Sequence, residues 1–539
     1  MLAFEESKWR APLTRRTIPP VFGPRSAAGV SAVALLLVNL PYLVAPSLTA
    51  PQSSFSGFLL NPIDGHSYLA KMRQGAAEPL EFRLPYAAEP GDGALLFVYY
   101  LVLGRVGSRV GLAPLTMVHS ARVLGAAAMF AATYLFVKRI LAPGRAQWAA
   151  FGLALFGTGI GWLAVPFGLT PVDLQVPEAI PFMTAFVNAH FPAAAALLVF
   201  SVTAIASSYP AWLIYLASLG LSLIQPFGSL TVGAALGVWV LVEAIVRRKS
   251  DRGPASDSGS EPRRPQRTGV AAFLLGALPV LVYDFGVIRT HPVLGGWAAQ
   301  NITPSPSLPE TLLGYGLLVP LAVIGIRAAR LRERSESRLL VSWVLVNGLL
   351  LYGPFLLQRR LSLGLFFPLA ALAGLGLERL ASSRRRFIFL LVGTLALSLP
   401  SHGLVIASGL SSVARGDPAL VVDRDDEELT QWIGNHLIDS ELILAGPRTG
   451  NRLPAYTPAR VIYGHPFETP KAAEWRAELD RLFGWDQDPT SGLERLQDLG
   501  VRYVLYSSEE MAIGSPSWLP ELDLVNEVGG SRLYEVPTP

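Results

Sequence analysis

The polar stretch Asn61–Asp92, NPIDGHSYLAKMRQGAAEPLEFRLPYAAEPGD, carries the residues best suited to chemistry. Asp64, Tyr68 and Lys71 fall at i, i+4 and i+7, so a helix beginning near Asp64 sets all three on one face. At the start of that helix the dipole favours the Asp64 carboxylate. A carboxylate so placed is a candidate general base for an acceptor hydroxyl; it equally fits an acid that only caps the helix. Lys71 could pair with Asp64, bind a phosphate, or snorkel at a surface. His66 and Tyr68 stand beside them as candidate acceptor or cavity contacts. Glu89, after a Pro/Gly-rich turn, is a candidate second acid, whether as catalyst, metal ligand or acceptor contact; a solvated loop carboxylate is the alternative.

Further candidates lie far along the chain. The turn Gln358-Arg359-Arg360 separates two apolar runs. A bidentate guanidinium suits phosphate or pyrophosphate, with lipid headgroup contact as the plainer account. His119 and Arg122 sit one turn apart inside an apolar run, where a central Arg costs about 2.5–3.5 kcal/mol on insertion scales. They should face the protein interior, binding the same phosphate or pairing with an acid such as Asp284. Asp173, Glu178 and His190 lie in a connection without Lys or Arg and could line a cavity. His190, His291 and His465 show no metal-ligand spacing, so no metal is assigned, although a divalent ion stays open. There is no cysteine, which excludes disulfides, thiolate metal sites and cysteine nucleophiles. Nucleotide-phosphate loops of the P-loop or dinucleotide-binding type are missing.

The elements that position these residues are mostly apolar. Of 539 residues, 51% are hydrophobic and 16% charged, against about 25% charged in a soluble protein. The runs predict an α-helical polytopic membrane protein with about eleven spans. They fall near 27–45, 114–137, 147–167, 191–207, 210–225, 229–246, 269–288, 312–326, 339–357, 361–377 and 387–406, the first being about the length a bilayer requires. The first reads as an uncleaved anchor rather than a signal peptide. Residues 1–26 form a basic N-terminal tail, 27–406 the membrane domain with its first outer loop at 46–113, and 247–268 a Ser/Pro/Arg-rich linker. Within the loop, Ala94–Leu103 reads as an interfacial helix with Tyr99 and Tyr100 at headgroup level. Loops on the N-terminal side hold roughly 24 Lys and Arg against roughly 8 on the other, which places the N-terminus in the cytoplasm. An odd span count then sets the candidate residues and the C-terminal region 407–539 on the outer face. That region alternates strand-like runs (ELILA, RVIYG, VRYVLY, RLYEV) with helix-like ones, the pattern of a small α/β domain. Arginine clusters at helix ends are a topology signal, so no nucleic-acid partner is expected.

In these motifs the chain resembles the GT-C superfamily, membrane glycosyltransferases that use polyprenyl-phosphate-linked sugars. The resemblance rests on the first outer loop, an acid followed by SYLAKMRQG, and on Pro177-Glu178 with His190-Phe191. It rests also on the Gln358-Arg359-Arg360 turn and a tail with Tyr463-Gly464-His465 and Glu468-Thr469. It implies an inverting transfer at the outer membrane surface, with Asp64 as base and Glu89 as a possible second acid. The leaving lipid phosphate would be held among Arg359, Arg360, Arg122 and Lys71. A glycan, lipid or protein acceptor would enter beneath the tail, past His66, Tyr68, Glu178, His190 and His465. Some relatives carry two adjacent acids where this chain has Asp64-Gly65-His66, which leaves Glu89 and any metal open. A secondary transporter or lipid flippase competes, but no internal repeat is visible. A membrane scaffold accounts for the tail but not for the intramembrane His119 and Arg122.

Overall fold

Apolar runs fold as helices, and polar segments of the first loop and the tail pack together above them. The computed structural model describes residues 22–250, 267–331, 333–437, 440–484 and 488–538. Most of the expected N-terminal tail 1–26 and of the linker 247–268 lies outside the described residues. Six helices are long and apolar enough to cross a bilayer: Pro24–Leu48, Pro114–Ile140, His190–Ser207, Pro226–Arg248, Arg267–Thr290 and Arg384–Ala414. Leu36, Leu43, Leu124, Leu275 and Phe389 on them are exposed, as lipid-facing side chains are. The protein is a multi-pass membrane protein.

Two of the runs expected as straight spans are broken. Arg145–Phe156 and Gly161–Phe167 meet at 48°, and Leu308–Tyr315 and Leu318–Ala328 at 74°. Gly316, at φ +51, takes the left-handed backbone that ends the first half-helix of the second pair. The two breaks rest on each other: the Ile160 N–H donates to the Leu313 carbonyl at 2.9 Å, satisfying backbone groups that a break frees. Three other expected spans are short helices, Ala211–Ile224, Ser335–Leu350 and Phe366–Leu380. At 1.5 Å per residue they cover about 21–24 Å, less than the ~30 Å hydrocarbon core. Among the described residues the helices that could span by length and composition number six, or up to eight with the bent pairs, so the expected eleven would need the three short helices as well.

The helix expected from Asp64 onward runs Pro62–Ala76, with Pro62 at its first position. It crosses the helix Val98–Val110 at two glycines. A Cβ on Gly75 would stand 2.0 Å from the Leu101 carbonyl oxygen, and one on Gly104 1.8 Å from that of Met72. Only glycine permits this approach. Tyr100, expected at headgroup level, is instead 3% exposed and buried against the first helix, while Val102, Val106 and Val110 on the second are exposed.

The tail forms a five-stranded sheet of order β4-β3-β5-β7-β6. β3 (Leu442–Leu444) runs parallel to β4 (Arg460–Val461) and β5 (Tyr503–Tyr506), while β7 (Ser531–Glu535) is antiparallel to β5 and β6 (Asp523–Val528). The first loop, 46–113, is built into this domain. β1 (Ser53–Phe55) pairs antiparallel with β2 (Val421–Asp423), the Val461 N–H donates to the Pro85 carbonyl at 3.1 Å, and Tyr86 is fully buried in the tail's core.

Candidate active site

Asp64 lies in the first turn of Pro62–Ala76, where the helix dipole favours its charge. Its Oδ1 is 3.1 Å from His465 Nε2, and 41% of its side chain remains accessible although protein surrounds it. Burial pushes the carboxyl pKa up. The hydrogen bond from His465 and the charges of Arg360 and Lys71 outweigh that and hold it below the usual carboxylate range. Asp64 is thus an ionised carboxylate facing open space.

Around it stand groups from four other segments. Tyr68, one turn along, stacks on Tyr100 at 4.2 Å and 8°. The Tyr100 hydroxyl is 2.8 Å from His190 Nδ1. Arg360 lies over the Phe227 ring at 5.5 Å, and its charge reaches Asp64, Tyr68, Glu178 and His190. Glu178 is 8% exposed; burial raises its pKa, with Arg359 and Arg360 opposing. Among the described residues neither arginine side chain makes a hydrogen bond or ion pair. Arg359 lines a small cavity with Ser305, Thr311, Tyr315 and Ser362. The Arg359 Nε and the Ser305, Tyr315 and Ser362 hydroxyls are buried without a partner. Buried donors left so call for an anionic oxygen or a water.

Other sequence candidates are placed differently. Lys71 is fully buried, its ammonium 2.8 and 2.9 Å from the Glu468 carboxylate and bonded to Ser67 Oγ. That pairing commits it away from an open phosphate contact. His66 is turned to the tail: its Nδ1 lies 3.2 Å from Asn451 Oδ1, and its ring meets Phe58 edge-on. Glu89 is exposed, with no polar contact to Asp64, because neighbouring Tyr86 and Ala88 pack into the tail's core and leave it to solvent. Arg122 caps the helix Pro181–Phe186: it donates to the Ala185 and Phe186 carbonyls at 3.0 and 3.3 Å and to Asn39 Oδ1 at 2.8 Å. His119 is held by the Gly57 carbonyl at 3.0 Å. Neither meets Asp284. Among the described residues no three His, Asp or Glu side chains converge to hold a metal; the carboxylates of Asp64 and Glu178 share their space with a guanidinium instead.

No family model and no curated protein matches this chain. Solved structures do. The oligosaccharyltransferase AglB from Archaeoglobus fulgidus, in complex with an inhibitory peptide and a dolichol-phosphate, superposes with TM-score 0.51 at 12% identity, over 95% of this chain and 74% of that one. ArnT from Cupriavidus metallidurans, bound to undecaprenyl phosphate, gives 0.54 at 13% identity over 95% and 98%. The chain has the GT-C fold. The arabinofuranosyltransferase AftD from Mycobacteria extends the likeness, at TM-score 0.54 and 14% identity, over 96% of this chain and 40% of that one. Three site features escaped the sequence: Tyr100, hidden in an apolar run; Glu468 as the partner of Lys71; and the hydroxyls around Arg359, too ordinary in type to stand out.

Proposed function

We propose that this protein is a membrane glycosyltransferase that moves a sugar from a polyprenyl-phosphate donor to an acceptor hydroxyl on the outer side of the membrane, with inversion at the sugar. The observation that carries the reading is Asp64: an ionised carboxylate, open to an incoming group and within reach of the charge of Arg360, whose side chain lies over Phe227 and makes no hydrogen bond or ion pair among the described residues. The GT-C fold and the lipid phosphates bound by AglB and ArnT support the donor class.

In the reaction, the acceptor oxygen attacks the sugar's anomeric carbon while the bond to the phosphate oxygen breaks and its electron pair leaves with the phosphate. The acceptor's proton goes to Asp64 Oδ2, the oxygen His465 leaves free. A carboxylate of low pKa suffices, because the hydroxyl becomes strongly acidic as its new bond forms and the phosphate is a good leaving group. Arg360 stabilises the charge that develops on the departing phosphate, with Arg359 beside it. Glu178, His190 and Tyr68 line the space. The products are the glycosylated acceptor and polyprenyl phosphate.

Asp64→Asn keeps the shape of the side chain and removes the base. In detergent, with polyprenyl-phosphate donors radiolabelled in the sugar and membrane extract as acceptor source, the variant should transfer about 100- to 10,000-fold more slowly than wild type while binding donor normally. Wild-type rates from Asp64→Asn overturn the assignment. Donor bound by wild type with no label leaving the lipid favours a carrier.

A further inference from the structure

The tail turn Gly464–Thr469 grips the helix Pro62–Ala76 at two places: His465 meets Asp64, and Glu468 meets Lys71 and Ser67. The turn is itself tightly held. Thr469 Oγ1 accepts from the Gly464 and His465 N–H groups at 3.3 and 3.2 Å, and Gln300 donates to the Thr469 carbonyl at 2.5 Å. Within it, His465 Nδ1 accepts the N–H groups of Phe467 and Glu468, both at 3.1 Å. A ring nitrogen that accepts carries no proton, so the ring's proton sits on Nε2, which donates to Asp64 Oδ1. Protonating Nδ1 would orphan two backbone N–H groups in a side chain that is 3% exposed. His465 therefore has no nitrogen free to take a proton. It has one bond to give, to one oxygen of Asp64.

We propose that His465 is a positioning residue: locked in a single tautomer by the tail's own backbone, it aims the Asp64 carboxylate so that Oδ2 faces the acceptor hydroxyl. This rests on the reading of Asp64 as base, and it makes the outer domain part of the reaction centre. The groups acting on Asp64 come from every side: Lys71 and Tyr68 on its own helix, Arg360, Glu178, His190, Tyr86 and Tyr100, and His465 from the tail. After burial, the His465 bond is the largest influence on it. Because that bond favours the ionised acid, removing it raises the Asp64 pKa. The base is then lost at higher pH than in wild type.

Two substitutions separate positioning from mere structure. His465→Asn keeps a side-chain oxygen where Nδ1 accepts from Phe467 and Glu468 but cannot reach Asp64. His465→Gln reaches Asp64 with an N–H but gives up the turn. With the same radiolabelled donors, His465→Asn should lose at least about tenfold in kcat at nearly unchanged KM for donor, and its acid limb should move to higher pH. His465→Gln should restore the position of that limb. Wild-type kcat and pH profile in His465→Asn overturn the proposal, as does an equal loss in both variants with the limb unmoved. Should neither variant fold, nitrogen NMR of the wild-type ring decides: a proton on Nδ1 overturns the proposal, and a proton on Nε2 alone supports it. An active Asp64→Asn would sink the base itself; an inactive Asp64→Asn beside a wild-type-like His465→Asn sinks only the role of His465.

Discussion

Lys71 was legible in the sequence as a residue on the Asp64 face, yet not as what it is. Its charge lies in an aromatic box, 4.3 Å from the Phe97 ring centre and near Tyr68 and Phe82, balanced by Glu468, 397 residues away. Burial pushes the Glu468 carboxyl up and the Lys71 ammonium down; at Glu468 the Lys71 charge and the Ser67 hydroxyl outweigh burial and hold its pKa below the usual range, while at Lys71 burial prevails over Glu468 and lowers the pKa. No spacing rule reaches across such a separation, and the same holds for His465 and Asp64. Asp64 itself was readable because helix start and face are local properties. Removing one partner of a buried pair strands the other's charge, at a cost of about 3–5 kcal/mol. Lys71→Met should therefore lower the melting temperature of the purified protein sharply, and Lys71→Met with Glu468→Leu should recover much of the loss. Additive losses in the double variant would show that the pair is not coupled.

At the scale of elements, the position of Asp64 depends on how closely two helices approach. The Gly75 and Gly104 backbones touch Val98–Val110 and Pro62–Ala76 respectively, so a methyl at either site must move a backbone, not a side-chain tip. Gly104→Ala should cost about 1–3 kcal/mol of stability. It should cost more in transfer, since a shift of about 1 Å in a reacting group loses roughly 100-fold. Gly296→Ala, where an added Cβ meets nothing within 4 Å, is the control and should leave both unchanged. Equal small effects from Gly104→Ala and Gly296→Ala would remove the close crossing from the account. The sequence displayed the helices but not the crossing, because a single glycine in a polar helix carries no sign of what approaches it. Hydropathy likewise located the apolar runs but not their bends, since it records composition along the chain and not direction. Arg122 belongs to the same lesson: an intramembrane arginine signalled an interior polar partner, and the partner proved to be the end of a neighbouring helix.

For the whole molecule, strand pairing constrains topology more tightly than helix length does. β1 follows the first span and β2 follows the last, and the two are hydrogen-bonded to each other, so both lie on one side of the membrane. The chain between them must cross an even number of times. Adding the first span makes the total odd, whereas long helices and bent pairs give six to eight. If each bent pair is one span the count is eight, and at least one of the short helices Ala211–Ile224, Ser335–Leu350 and Phe366–Leu380 must then cross as well, in a locally thinned bilayer or sheltered by its neighbours. Phe366–Leu380 is suited to it, with eleven of its residues buried among other helices and so not dependent on matching lipid thickness. The lysine and arginine asymmetry is the ground for expecting the tail on the outer side. Because the chain has no cysteine, single introduced thiols read this directly. Glu521→Cys in the tail should react with a membrane-impermeant maleimide on intact cells, and Lys138→Cys at the far end of Pro114–Ile140 only after permeabilisation. Labelling of both from one side would break the parity argument, and the reverse pattern would put Asp64 on the cytoplasmic face, out of reach of an acceptor outside.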